Sequence, residues 1–364
     1  MRRSQLLLNP GPVTLTERVR AALVQGDWCH REVEFADLTK GILTSLEEVY
    51  GAGTRMQAVL LTGSGTAAVE AMLATLTPPD KKTLVAANGV YGERMAAMLQ
   101  AHGHAITCVS SPWEEGIDLD AIERSLVRDA GIRTVVAVHH ETTTGRLNDI
   151  AGLAEVCRDR GCRLLLDAVS SFGAEEMDFE SWPVAAVAAT ANKCLHGSPG
   201  LSFVLVREDV LSGIDWNVGS VYLDLRRYAD AQNAGGFSPF TQAVHVAFAL
   251  REALNELEDG GGQPARLKRY RTVADRVCVA LAGLGVETLL PDSDCSAVLR
   301  AYRLPRGCVY EDLHDQLKAR GFIIYAGQGR LRSDVFRIAH MGHIQDADVE
   351  RLAHAFEDTL GGHP

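Results

Sequence analysis

From residue 57 onward, short runs of consecutive apolar residues alternate with longer amphipathic stretches. The runs predict strands over Ala58–Thr62, Thr83–Ala87, Ala105–Val109, Thr134–His139, Arg163–Asp167, Val184–Ala189 and Ser202–Val206. The stretches between them predict helices, among them Thr66–Leu76, Gly92–Gly103, Leu119–Arg128 and Ile150–Gly161. Continuously apolar strands separated by helices imply an α/β fold, with a mostly parallel sheet covered by helices on both faces. A helix over Gln242–Leu257 is broken by the glycine cluster of "EDGGGQP" (258–264), which marks the best domain boundary. Beyond it the pattern gives a helix over Arg266–Leu284, strands near Ala297–Arg303, Phe322–Tyr325 and Phe336–His340, and a last helix over Asp346–Thr359. The expected organisation is an extended N-terminal arm (1–15), a large α/β domain (16–262) and a small C-terminal α+β domain (263–364) packing with the arm.

Composition narrows the function classes. Acidic residues outnumber basic ones by 47 to 36, a net charge of −11 with no basic block, which argues against a nucleic-acid partner. No apolar run is long enough to span a membrane. The N-terminal "MRRSQLLLNPGP" has too short an apolar core for a signal peptide, so a cytoplasmic location is expected. Eight cysteines (29, 108, 157, 162, 194, 278, 295 and 308) are scattered, as expected of reduced and mostly inert thiols. Cys157–Cys162 has no second pair nearby, the adjacent residues of His139-His140-Glu141 point to opposite faces of a strand, and His340–His343 is similarly weak, so no metal is expected.

In an open α/β sheet, ligands bind beyond the carboxyl ends of the strands, so polar residues there carry the chemistry. "LLTGSGTAAVEAML" (60–73) puts a Gly-Ser-Gly-Thr turn between a strand and a helix. Either it cradles an anion with backbone N–H groups and the hydroxyls of Ser64 and Thr66, or it is an ordinary turn with Thr66 as the helix cap. "CRLLLDAVSSFG" (162–173) ends an apolar strand with Asp167, costly at that depth unless it meets a cation. Lys193, one of six lysines, follows the next Ala/Val-rich strand, where desolvation lowers an amine's pKa and frees it to attack a carbonyl. Anion turn, strand-end aspartate and strand-end lysine, in that order, match what pyridoxal 5'-phosphate requires: a phosphate cradle, a carboxylate for its pyridinium nitrogen and a Schiff-base lysine.

The stretches "LLLNPGPVTLTERVR", "HREVEF", "LLTGSGTAAVEAM", "NGVYGERM", "HHETTTGRLND", "LLLDAVSSFGAEEMDF", "ANKCLHGSPGLSFVL" and "FRIAHMG" span nearly the whole chain. Through them it resembles the class V, fold-type-I pyridoxal-phosphate aminotransferases, and "GSGTAAVEAM" with "ETTTG" and "ANKC" favours their phosphonate branch. The resemblance implies that Lys193 carries the cofactor and shuttles the proton, and that Asp167 keeps the pyridine nitrogen protonated. It also implies that Tyr91 and Val169 cover the two ring faces and that Thr143 or Thr142 bonds near the phenolic oxygen. Ser64, Gly65, Thr66, Thr190 and Asn192 would serve the phosphate, with Thr241 reaching the cofactor of the second subunit of a homodimer. Arg337 would anchor the substrate's acidic group, Asn9 and Gly11 would close over it, and Arg31 would contribute. Arg330 and Arg332 are further candidates to add charge there.

The implied reaction moves the amino group of 2-aminoethylphosphonate to pyruvate, reversibly. The nearest alternative is an alanine–glyoxylate or serine–pyruvate type transaminase, or a transaminase of another small amine. A cysteine desulfurase would need a mobile cysteine, and Cys295 and Cys308 lie in no motif for that role. A catalytically silent binding protein is disfavoured by the presence of both Lys193 and Asp167.

Overall fold

The computed structural model describes residues 5–51 and 56–361; the first four residues of the expected arm and the last three of the chain lie outside the described residues. The apolar runs form β1 (Met56–Thr62), β2 (Thr83–Ala87), β3 (Ile106–Ser110), β4 (Thr134–Val138), β5 (Arg163–Asp167), β6 (Val184–Thr190) and β7 (Leu201–Arg207). They make one seven-stranded sheet in the order β1-β7-β6-β5-β4-β2-β3. All pairs are parallel except those made by β7, which runs antiparallel to both β1 and β6. Side chains alternate between two apolar layers: Leu84 and Ala86 enter one, Val85 and Ala87 the other. That two-sided burial explains why these strands read as unbroken apolar runs rather than alternating ones. All seven residues of β6, VAAVAAT, are buried, and their small side chains let the helix Gly65–Leu76 pack across β6 and β7.

A second sheet of β8 (Leu299–Arg303), β9 (Tyr325–Ala326) and β10 (Val335–Ala339) is antiparallel in the order β8-β10-β9. The expected strand Phe322–Tyr325 is in fact two. Phe322–Ile323 pairs in parallel with Leu6–Leu7 of the arm, and the chain then turns into β9. The arm is also tied by Ala339 N to Leu8 O (2.7 Å) and His343 N to Thr14 O (2.8 Å). These bonds carry Pro10 and Gly11 across the ends of the central strands.

Helices Glu17–Ala22, Val33–Glu48 and Leu225–Gly235 have no counterpart in the sequence reading. The glycine break is shorter than expected: one helix runs Val244–Asp259, and the next, Gly262–Ala282, already contains Gln263 and Pro264. Proline is tolerated in a first turn because its missing N–H would have had no partner there. Among the described residues, no helix is long and apolar enough to cross a membrane.

Candidate functional site

Three strand ends meet through one glycine. Beyond β1, Ser64 rather than Thr66 caps the helix Gly65–Leu76, its hydroxyl accepting from Ala67 N at 3.4 Å. Thr66 instead lies in the first turn with its side chain exposed, free for a ligand at the helix N-terminus. A Cβ on Gly65 would come within 2.8 Å of Val169, after β5, and 3.3 Å of Thr190, the last residue of β6. Only glycine lets the turn close onto both.

Asp167 ends β5, and one oxygen accepts from Val169 N at 2.9 Å. Burial pushes its carboxyl up to about 6, against the attraction of Lys193 and Arg94. After β6, the Thr190 hydroxyl lies 2.8 Å from Asn192 Oδ1 and 3.2 Å from Leu201 O. Lys193 follows in the turn, and its Nζ donates to the Pro10 carbonyl of the arm. Desolvation lowers the amine to about 8 even though part of the side chain still reaches solvent; Asp167 opposes the shift and Arg337 adds to it. Gly11, at φ +110°, has no room for a side chain, since a Cβ would meet Lys193 Cδ at 2.6 Å. Asn9 is buried beside it, donating to Pro12 O at 3.0 Å.

The loop after β4 supplies a group that the sequence reading missed as a site residue. Glu141 is fully buried. One of its oxygens accepts from Thr143 N (3.1 Å) and Thr143 Oγ1 (2.6 Å), the other from Tyr91 N (3.2 Å) and Gly92 N (3.4 Å). It thus joins the loop to the N-terminus of helix Val90–Ala101, and Gly89 leaves it the space. Burial still pushes its carboxyl up to about 7, with Asp167 adding to the rise. The signal was present in the sequence: like Asp167, it is a carboxylate at the end of an apolar run.

The only hydroxyl proton of Thr143 is thus committed to Glu141, and its oxygen also accepts from Val90 N at 3.1 Å. Thr142 Oγ1 and His140 Nε2 are buried with no partner among the described residues. Tyr91 lines a narrow cleft with Thr66, Asp167 and Val169, and the Arg94 guanidinium lies 4.8 Å over its ring. Arg337 is buried on β10, donating to Ala326 O (2.9 Å), Thr142 O (2.8 Å) and Gln328 Oε1 (3.3 Å).

Other expected residues lie elsewhere. Arg330 stacks 4.6 Å over Trp113, and Arg332 is exposed, 3.9 Å from Glu311; neither contacts Arg337. Arg31 is exposed and reaches Ser238 O at 3.5 Å, and Thr241 is exposed in the following segment. Burial pushes the Cys295 thiol up to about 11 and raises that of Cys308, the opposite of a reactive thiolate.

The chain matches the family model described as Aminotransferase class-V over residues 19–329. It is 34% identical to the 2-aminoethylphosphonate–pyruvate transaminase of Pseudomonas aeruginosa, covering 98% of this chain and 96% of that protein. It is 35% identical, with the same coverage, to that of Syntrophobacter fumaroxidans. The alanine–glyoxylate aminotransferase structure from Nostoc sp. superposes with a TM-score of 0.91 at 26% identity, over 99% of this chain and 96% of that one. With the strand-end arrangement of Asp167 and Lys193 seen in the fold, these matches lead to one family: the chain belongs to the class-V aminotransferases, which are pyridoxal-phosphate-dependent enzymes.

Proposed function

We propose that the chain transfers the amino group of 2-aminoethylphosphonate to pyruvate, giving phosphonoacetaldehyde and L-alanine, and that the reaction runs in either direction. The observation that carries this reading is Lys193 after β6, its amine desolvated under the arm's Pro10 carbonyl, beside the strand β5 that ends in the buried carboxylate of Asp167, with the buried guanidinium of Arg337 bonded to Thr142 in the loop after β4. The relatives' names supply the substrate pair.

The residues fit pyridoxal phosphate. Ser64 and Thr66 are exposed on either side of the Gly65 turn at a helix N-terminus, where an anion can reach them, and the unpartnered Thr142 Oγ1 and His140 Nε2 are polar atoms that a ligand would satisfy. Ser64, Gly65, Thr66, Thr190 and Asn192 would hold the phosphate, Tyr91 and Val169 the ring faces, and Asp167 the ring nitrogen. Thr142 suits the phenolic oxygen better than Thr143, whose hydroxyl is already used twice. When bound, the cofactor supplies an electron sink for the pair left when the donor's C–H bond breaks. Lys193 would hold the cofactor by its carbonyl carbon, and its Nζ would hold and move the substrate proton. Arg337 orients the acidic group by paired hydrogen bonds, and Asn9 and Gly11 shield it from water. The chain divides into the arm, a large domain to residue 262 and a small domain beyond.

We further propose a homodimer. Val24, Trp28, Val33, Val221, Tyr222 and Phe237 are large apolar side chains left exposed. Their segments meet: Tyr222 packs 5.1 Å from Phe240, and Arg31 reaches Ser238. Tyr222 also donates to Thr62 O, next to the phosphate turn. A second copy covering this face would bring its Thr241 to that turn, with Arg31 at the same border.

Single-turnover reactions of the cofactor-loaded enzyme with 2-aminoethylphosphonate, alanine, serine and glycine test the substrate. The phosphonate and alanine should discharge the cofactor's near-visible absorbance. A reaction with serine or glycine, and none with the phosphonate, would sink this reading in favour of an alanine–glyoxylate type, the activity named for the Nostoc neighbour.

A further inference from the structure

We propose that Gln328 is a specificity-determining residue that lets the single anchor Arg337 accept either a phosphonate or a carboxylate; the inference rests on the substrate pair proposed above. A donor with a three-oxygen acid and an acceptor with a two-oxygen acid must use one guanidinium in turn. Two of the bonds Arg337 makes go to backbone carbonyls, Ala326 O and Thr142 O, which fix its plane. The third and longest, at 3.3 Å, goes to the rotatable Gln328 side chain and takes the remaining Nη1 hydrogen. Among the described residues, Nη2 has no partner. An acidic group approaching Nη2 therefore completes a bidentate pair by displacing Gln328 from Nη1, the bond easiest to give up.

The displaced amide stays close because its backbone is clamped. Gly327 N donates to Val335 O at 2.7 Å, and any side chain on Gly327 would run into Leu331 O. Gly329, at φ +54°, packs so tightly on Trp113 that a Cβ would lie 2.7 Å from the ring. Arg330 covers the same ring, and Trp113 Nε1 donates to Glu93 Oε1 at 2.8 Å, on the helix that carries Tyr91. Only the side chain of Gln328 is left to move. Its Nε2 makes no hydrogen bond among the described residues. A carboxylate spends both oxygens on the guanidinium, whereas a phosphonate presents a third oxygen to that idle donor. Gln328 thus adds a hydrogen bond to one substrate class and withdraws for the other.

The test compares the wild-type holoenzyme with Gln328→Ala and Gln328→Glu. The bound cofactor's absorbance is titrated with methylphosphonate and with acetate, neither of which carries an amine. Half-reactions with 2-aminoethylphosphonate and alanine give the matching kcat and KM. In Gln328→Ala the affinity ratio of methylphosphonate to acetate should fall about tenfold or more, the loss of one hydrogen bond to a charged group. The change should sit in KM rather than kcat, and Gln328→Glu should lower the ratio further by repulsion. Equal losses for both ligands, which leave the ratio unchanged, would show that Gln328 only steadies Arg337; unchanged affinities for both would show that it does nothing. Either result overturns the inference while wild-type turnover of the phosphonate stands. A wild-type enzyme that ignores methylphosphonate and 2-aminoethylphosphonate yet reacts with alanine removes the substrate reading, and the inference with it.

Discussion

At the scale of single residues, the chemistry turns on where a charge is made expensive. Lys193 has its amine lowered to about 8 by burial, from 10.5 for a free lysine. The neutral, nucleophilic fraction therefore rises as pH passes through 8 and is nearly complete where an exposed lysine is still protonated. Attachment of pyridoxal phosphate to cofactor-free protein, followed by absorbance, should accelerate with pH to a midpoint near 8. A midpoint near 10 would mean that the amine is solvated. Lys193→Ala should abolish attachment and turnover together. Residues of this kind were legible in the sequence because their chemistry clashes with their neighbours: Asp167 ends "RLLLD" and Lys193 follows "VAAVAAT". The same criterion applied to "HHE" points to Glu141. Gln328 gives no such signal, since a neutral amide in a glycine-rich loop conflicts with nothing around it. Arg330 and Arg332 are near Arg337 in the chain, yet their side chains turn toward Trp113 and Glu311. Sequence shows that a charge is near, not which way it points.

Between elements, Glu141 does the joining: its carboxylate faces Thr143 on one side and the N-terminus of helix Val90–Ala101 on the other. Glu141→Gln keeps the shape but must turn its amide –NH2 toward a backbone N–H, either Thr143 N or the Tyr91 and Gly92 pair. Chemical denaturation should show a loss of about 1–3 kcal/mol, the cost of a buried donor left unpaired. The margin should depend on pH. With the folded carboxyl raised to about 7 from 4.5, the native wild type binds more protons than the unfolded chain between those values. Its stability from this group is full below about 4.5 and falls as pH rises through 7, so its lead over Glu141→Gln should shrink at alkaline pH. A lead that grows with pH would show the carboxylate to be the favoured form. The central strands were readable because both faces are buried, but the helices at the sheet's border were not. In Val33–Glu48, Gly41 interrupts the pattern, and the helix is held from outside by Arg251 donating to Gly41 O at 2.8 Å. In Leu225–Gly235 the buried face includes the polar Gln232, which exchanges two hydrogen bonds with Leu60 of β1 and so covers a sheet edge.

For the whole molecule, the question is whether one chain completes its own site. Thr241 is exposed, and the apolar face around it is unusual for a surface: Val221 is 62% and Trp28 44% exposed. Sequence gave Thr241 only through family likeness, because no pattern within one chain marks a residue whose partner sits on another copy. If each site takes Lys193 from one subunit and Thr241 from the other, two differently damaged chains should repair each other. Lys193→Ala cannot anchor the cofactor, and Thr241→Asp sets a negative charge against the phosphate of its partner's site. Each variant alone should be inactive and dimeric by sedimentation. Co-expressed in equal amounts, they should form mixed dimers as about half of the population, each with one intact site, and recover about a quarter of wild-type activity. The intact site lies on the Thr241→Asp chain, which keeps its own Lys193 and receives an unaltered Thr241 from its partner. Dimers that mix yet recover no activity would mean that both residues act within one chain, and a monomer at working concentration would remove the shared site altogether.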